Sequence, residues 1–284
     1  MISHHGLHYE LEGPSGAPVV VLMHALGLSA AMWERQRAAL ASDFRLLRYD
    51  ARGHGSSALG QGAPSLAAAA GDALALLDEL EIEQASFCGL SYGGVVGLWL
   101  GVHAPARVRA LVVASATPRF GTPQGWLSRI EVARAHGLAG IAAASAPRSF
   151  SRRFRRDEPG VVADFIDVMA KNPAEGFVDG CTAMAAGDLG GGLNDLMVPT
   201  LFVAGAADAV TPPDEIRRLA SRVPVADYVE LPGAHIVNVE AAPQFNAAVL
   251  RFLRAHAAPP PPSRVLLTRD DHRRPAVRHL RVAR

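Results

Sequence analysis

The chain has 284 residues, of which 49% are hydrophobic and 19% charged, with only two cysteines, Cys88 and Cys181. That length suits one large domain or two modest ones, and the composition excludes an intrinsically disordered chain and a disulfide scaffold. The formal net charge is +1, but residues 258–284 carry seven Arg against two Asp, which leaves a mildly acidic body without the basic footprint of a nucleic-acid binder.

The start, Met1-Ile2-Ser3-His4-His5, lacks a basic segment followed by an apolar one, so no signal peptide is expected. The longest Ala/Leu-rich stretch, 66–80, is cut by Asp72 and Asp78 and is too short to span a bilayer. These features lead to the expectation of a soluble cytoplasmic protein with no membrane partner and no nucleic-acid partner.

Short apolar runs recur between turn signals. In chain order they are Val19–Met23, Phe44–Tyr49, Ala85–Cys88, Ala110–Ala114, Thr200–Ala204 and Tyr228–Leu231. Several are continuous and β-branched, which predicts strands buried on both faces of a parallel sheet. Helical patterns lie between them. Ser65 stands as N-cap before a helix over 66–80, and Tyr92–His103 and Pro243–His256 also read as helices. Alternating strands and helices predict an α/β fold with its ligand edge at the strand C-termini.

Residues 118–195 break that rhythm. They hold several helical segments and a basic cluster, Arg148, Arg152, Arg153, Arg155 and Arg156. The segment is expected to form a helical cap over the ligand edge, with 1–117 and 196–257 as the core. The basic cluster reads as a solvated helix face. Four prolines, Pro259–Pro262, then begin a Pro/Arg-rich tail over 258–284 that is expected to be unstructured.

Gly89-Leu90-Ser91-Tyr92-Gly93 matches G-x-S-x-G between a predicted strand and a predicted helix. A sharp turn there lifts the serine hydroxyl into the open, and the flanking glycines remove side chains that would clash. A serine nucleophile needs a base, and the base needs an orienting acid. His235 follows the Tyr228–Leu231 strand, and Asp208 follows the Thr200–Ala204 strand, both at the edge that carries Ser91. Asp214 is the competing acid, read as the cap of the next helix. His24, at a strand end, reads as a loop brace. The oxyanion hole is expected from the backbone N–H groups of Tyr92, next after the nucleophile, and Leu26, in the loop after Val19–Met23. Asp50–Ser56 is a glycine-rich turn without the Lys-Ser/Thr of a phosphate loop.

Taken together, the His24-Ala25-Leu26-Gly27 loop, the Asp50–Ser56 turn, the Gly89–Gly93 elbow, Asp208 and His235 resemble the α/β-hydrolase superfamily over residues 6–256. Within it, the stretches Phe44–Gly55, Phe87–Gly94 and Trp99–Pro105 are most similar to 3-oxoadipate enol-lactone hydrolases, and so is Gly125-Trp126-Leu127-Ser128-Arg129 in the cap. The sequence departs from the pattern at Ala25, where the superfamily usually has Gly, and at Tyr92, where the enol-lactonases often carry Met.

The resemblance implies a mostly parallel sheet flanked by helices with a cap inserted between two strands. It implies that Ser91, His235 and Asp208 open 3-oxoadipate enol-lactone through an acyl-enzyme, with Trp126 and Arg129 contacting an anionic small-molecule substrate whose carboxylate would pair with Arg129 or, alternatively, with an Arg from 148–156. No metal and no organic cofactor is required by that chemistry. The alternatives within reach are a carboxylesterase or carbon–carbon-bond hydrolase of the same superfamily, and a ligand-binding protein that keeps the scaffold without turnover.

Overall fold

The computed structural model describes residues 1–257, except 120, 188, 190 and 191. The Pro/Arg-rich tail over 258–284 lies outside the described residues.

The chain begins with β1 (Tyr9–Glu12), β2 (Val19–Met23), α1 (Glu34–Leu40), β3 (Arg45–Tyr49) and α2 (Leu66–Glu79). It continues with β4 (Ala85–Leu90), α3 (Tyr92–His103) and β5 (Val108–Ala114). Five helices follow before the next strand: α4 (Pro123–His136), α5 (Ala139–Ser149), α6 (Arg152–Asp157), α7 (Pro159–Lys171) and α8 (Ala174–Ala186). The chain then adds β6 (Thr200–Gly205), α9 (Pro213–Ala220), β7 (Ala226–Leu231), α10 (Val237–Glu240) and α11 (Ala242–His256).

The strands form one sheet in the order β1-β3-β2-β4-β5-β6-β7. Every neighbouring pair is parallel except β1 with β3. The central strands β4 and β6 are buried along their whole length, which is why their sequences are continuously apolar or small. The apolar runs anticipate six of the seven strands. They miss β1, whose Tyr-Glu-Leu-Glu is short, alternating and at the sheet edge, where only one face needs to be apolar.

Local signals set several helix ends. Ser65 caps α2, its hydroxyl accepting from the Ala68 amide at 3.0 Å. Asp214 does not cap α9, contrary to expectation. Pro212 occupies the N-cap position, and Asp214 lies in the first turn, paired with Arg217. An acidic group there favours the positive end of the helix dipole.

The helices between β5 and β6 sit above the C-terminal edge of the sheet and are tied to it by buried polar contacts. Asn172, at the end of α7, donates through Nδ2 to the Gly27 carbonyl at 2.7 Å and accepts from the Gly55 amide at 2.6 Å. The Ile236 amide donates to the Ser149 carbonyl at 3.0 Å, and Glu240 accepts from the amides of Ser151 and Ala234. Among the described residues, no helix is long and apolar enough to cross a membrane.

Candidate active site

The turn from β4 into α3 holds Ser91 at φ 55° and ψ −115°. A non-glycine residue with positive φ is uncommon and costs on the order of 1–3 kcal/mol, so the surroundings must impose it. They do so through two glycines. A Cβ on Gly89 would fall on the carbonyl oxygen of Gly93, and one on Gly93 would fall on that of Met23 at the end of β2. The Ser91 amide donates to the Ala114 carbonyl at 2.9 Å, which pins the turn to the end of β5.

Two loops at the same sheet edge complete a chain of hydrogen bonds. His235 Nε2 lies 3.0 Å from Ser91 Oγ, and His235 Nδ1 lies 2.9 Å from Asp208 Oδ2. Asp208 is held in turn by four donors. Its Oδ1 accepts from the amides of Val210 and Thr211, and its Oδ2 accepts from the Thr211 hydroxyl as well as from His235. Burial pushes the Asp208 carboxyl up, but the bonds from His235 and Thr211 outweigh it and hold the pKa below the usual aspartate value. An ionised carboxylate only accepts, so His235 Nδ1 carries the proton and Nε2 is left to accept from the serine hydroxyl.

Leu26 lies beside Ser91 in the wall of the same cavity, and its amide has no acceptor among the described residues. The Tyr92 amide is the first of α3 and has no partner one turn back in the helix. The β2 loop and the helix start thus each leave one backbone amide without a partner among the described residues, at residues that line the cavity or adjoin Ser91.

His24 is away from that chain. Its Nδ1 donates to the Ala25 carbonyl and its Nε2 accepts from the Ala51 amide, so it ties the β2 loop to the β3 loop. Below it, Asp50 accepts from the amides of Ala30 and Ser56, which ties the Asp50–Ser56 turn together. The cavity in front of Ser91 and His235 is roofed by the inserted helices. Trp126 and Arg129 of α4 line it, with the Arg129 guanidinium 4.5 Å from the centre of the Trp126 ring. Its other walls are mainly apolar, including Ile141, Phe165, Met169 and Phe177.

A family model described as alpha/beta hydrolase fold matches residues 18–242. The chain belongs to the alpha/beta hydrolase family. This hydrolase is 35% identical over 249 residues to 3-oxoadipate enol-lactonase 1 of Acinetobacter baylyi, covering 88% of this chain and 93% of that one. A second enol-lactonase of the same organism matches at 35% over 243 residues, covering 86% and 91%. Among solved structures, the enol-lactonase of Burkholderia xenovorans is 38% identical with a TM-score of 0.85, covering 87% of this chain and 96% of that one. A thermophilic esterase of Thermogutta terrifontis, solved with malate bound, is 28% identical with a TM-score of 0.84, covering 89% and 94%.

Sequence reasoning missed several residues that shape the hydrolase's site. Thr211 had a signal: a hydroxyl three residues after an Asp, before two prolines, is a side-chain-bonded turn. Asn172 had none, because its partners lie more than a hundred residues away. The basic cluster also divides. Arg148, Arg152, Arg153 and Arg156 are all exposed, as expected of a solvated face, but of these four Arg148 also lines the cavity in front of Ser91.

Proposed function

We propose that this hydrolase opens 3-oxoadipate enol-lactone to 3-oxoadipate, a step in the breakdown of aromatic compounds. The observation that carries the reading is the hydrogen-bond chain Ser91–His235–Asp208 beneath a cavity that holds Arg129 against Trp126. The 35–38% identity to proteins named enol-lactonases supports the substrate.

In this mechanism Ser91 Oγ attacks the lactone carbonyl while His235 Nε2 takes the hydroxyl proton. Asp208 keeps the imidazole in the right tautomer and stabilises the imidazolium. The tetrahedral oxyanion is held by the amides of Leu26 and Tyr92, donors of a kind each worth about 2.7–4 kcal/mol in the transition state. The ring C–O bond then breaks. His235 returns its proton to the leaving enolate oxygen, and the enol relaxes to the ketone. Water, deprotonated by His235, attacks the acyl-serine, and the acyl C–O bond breaks to release the acid and restore Ser91. The protons of acylation and deacylation move through His235, and the enol exchanges its own with water as it becomes the ketone, so the cycle draws on this chain's groups and water.

The inserted helices over 118–195 act in this reading as a lid on the core formed by 1–117 and 196–257. They enclose the bound substrate over Ser91 and present Trp126 and Arg129 to it. Arg129 pairs with the carboxylate that the lactone carries, and the Trp126 face supports the guanidinium.

A second reading is a carboxylesterase for a less polar acyl group. The mainly apolar cavity walls and the likeness to the Thermogutta terrifontis esterase favour it.

The test is hydrolysis of the enol-lactone, followed by loss of its ultraviolet absorbance, for wild type and Ser91→Ala. Turnover that falls by about 10⁵–10⁶-fold in the variant supports the proposal. Absence of lactone turnover, alongside Ser91-dependent cleavage of phenyl acetate, moves the protein to the second reading.

A further inference from the structure

Two cations enter the cavity in front of Ser91, and they come from different helices. Arg129 projects from the middle of α4, and Arg148 from the last turn of α5. The two helices pack together and are joined only by Gly137 and Leu138, so one hairpin carries both side chains. No Asp or Glu among the described residues lines that cavity. Among the described residues, neither arginine has an ion-pair partner, whereas nearby Arg153 and Arg156 both pair with Asp157.

The position of Arg148 is built, not incidental. The next residue, Ser149, is buried, and its carbonyl accepts the Ile236 amide at 3.0 Å. Ile236 follows His235 directly. A backbone hydrogen bond one residue from Arg148 thus reaches one residue from the base that serves Ser91. That bond holds the end of α5 at a set place beside the segment that bears His235, although Ser149 and Ile236 lie 87 positions apart in the chain.

Two guanidinium groups lining one partly apolar cavity repel each other, and Arg129, which is half-buried, has also lost part of its hydration, while Arg148 is exposed to solvent on its outer side. Burial and then the neighbouring Arg148 draw the Arg129 guanidinium below its ordinary pKa, although it stays charged at any working pH. An anion between the two relieves both penalties at once. A carboxylate suits the place because its two oxygens accept from two donors in different directions.

We propose that Arg148 is a second substrate anchor, gripping together with Arg129 the carboxylate remote from the scissile carbonyl, so that the site selects acyl substrates with an anionic far end. This rests on the hydrolase reading of Ser91 and on an anionic substrate, but not on the enol-lactone being that substrate. A neutral ester of the same length leaves the two charges facing each other without a counter-ion and is the poorer substrate. Short dicarboxylates occupy the same place as inhibitors.

The experiment compares p-nitrophenyl hydrogen glutarate with p-nitrophenyl butyrate, an anionic and a neutral ester with the same leaving group. Arg148→Ala is expected to lower kcat/KM for the anionic ester by about 10–100-fold, mostly through KM, and to leave the neutral ester within about threefold. Arg148→Lys recovers part of the loss, and Arg152→Ala, a change at an exposed residue outside the cavity, alters neither ester. Calorimetry of adipate with the Ser91→Ala protein supplies a readout without turnover, and adding Arg148→Ala weakens that binding by at least about tenfold. Equal losses on both esters, or unchanged adipate binding, overturn the role of Arg148. Lactone turnover by the wild type is read separately, so a wrong substrate name and a wrong anchor give different results.

Discussion

His235 presents Nδ1 to Asp208 Oδ2 at 2.9 Å, and this contact decides which ring nitrogen faces Ser91. Asp208→Asn places an amide where the carboxylate was and allows the other tautomer, with Nε2 carrying the proton. The variant is expected to fold and to lose about 10³–10⁴-fold in kcat. Steady-state kinetics with a circular-dichroism check of folding measures it. A loss below tenfold would remove Asp208 from the catalytic chain.

The elbow sets a second expectation. Gly93 has no room for a side chain, because a Cβ there would fall on the Met23 carbonyl. Backbone on both sides of the contact must shift to relieve it. Gly93→Ala is expected to destabilise the protein by about 1–3 kcal/mol and to displace the Tyr92 amide from its place beside Ser91. Urea unfolding together with kcat tests this, and a variant with wild-type values of both would contradict the close approach.

Acid sensitivity follows from two buried histidines, His24 and His54, whose ring centres lie 5.2 Å apart with the planes tilted by 53°. Burial first, and then its neighbour His24, take His54 from the ordinary value of 6.5 down to about 3. Burial also lowers His24. Between those two pH values the unfolded chain binds a proton at His54 and the folded chain does not. Stability is therefore full above pH 6.5 and is lost as pH falls toward 3, at up to about 1.4 kcal/mol per pH unit for one group. His54→Asn cannot take up that proton. Unfolding midpoints between pH 7 and pH 5 should fall less steeply in the variant, and parallel slopes would count against a neutral buried His54.

Asn172 joins α7 to the loops after β2 and β3 through its own amide. Asn172→Leu removes these contacts and a longer one to the Leu28 carbonyl, and leaves the Gly27 carbonyl and the Gly55 amide without their side-chain partner. A cost of about 1–3 kcal/mol is expected, together with a raised KM as α7 loosens over the cavity. Faster proteolysis within α4–α8, with the sheet intact, is the measurement that separates cap loosening from global loss of stability.

Much of the scaffold can be read from local sequence. Continuous β-branched runs mark strands that touch helices on both faces, and Ser65 marks the start of α2 because its hydroxyl meets an amide only three residues away. The residues of the Ser91 elbow are legible for the same reason: the turn is made by five consecutive residues whose sterics are local. Asp208 and His235 are legible at one remove, since each follows a strand and all parallel strands end at one edge.

The tertiary structure decided what spacing along the chain does not encode. Ser91 and His235 meet across 144 residues, and Asn172 meets Gly55 across 117. Arg148, Arg152, Arg153 and Arg156 look alike in sequence, yet only Arg148 of these four lines the cavity, because the end of α5 is bonded to the loop after β7. Periodicity and turn chemistry act over a few residues and so determine the elements. Which side chain faces a site depends on how those elements pack, through contacts between residues far apart in the chain.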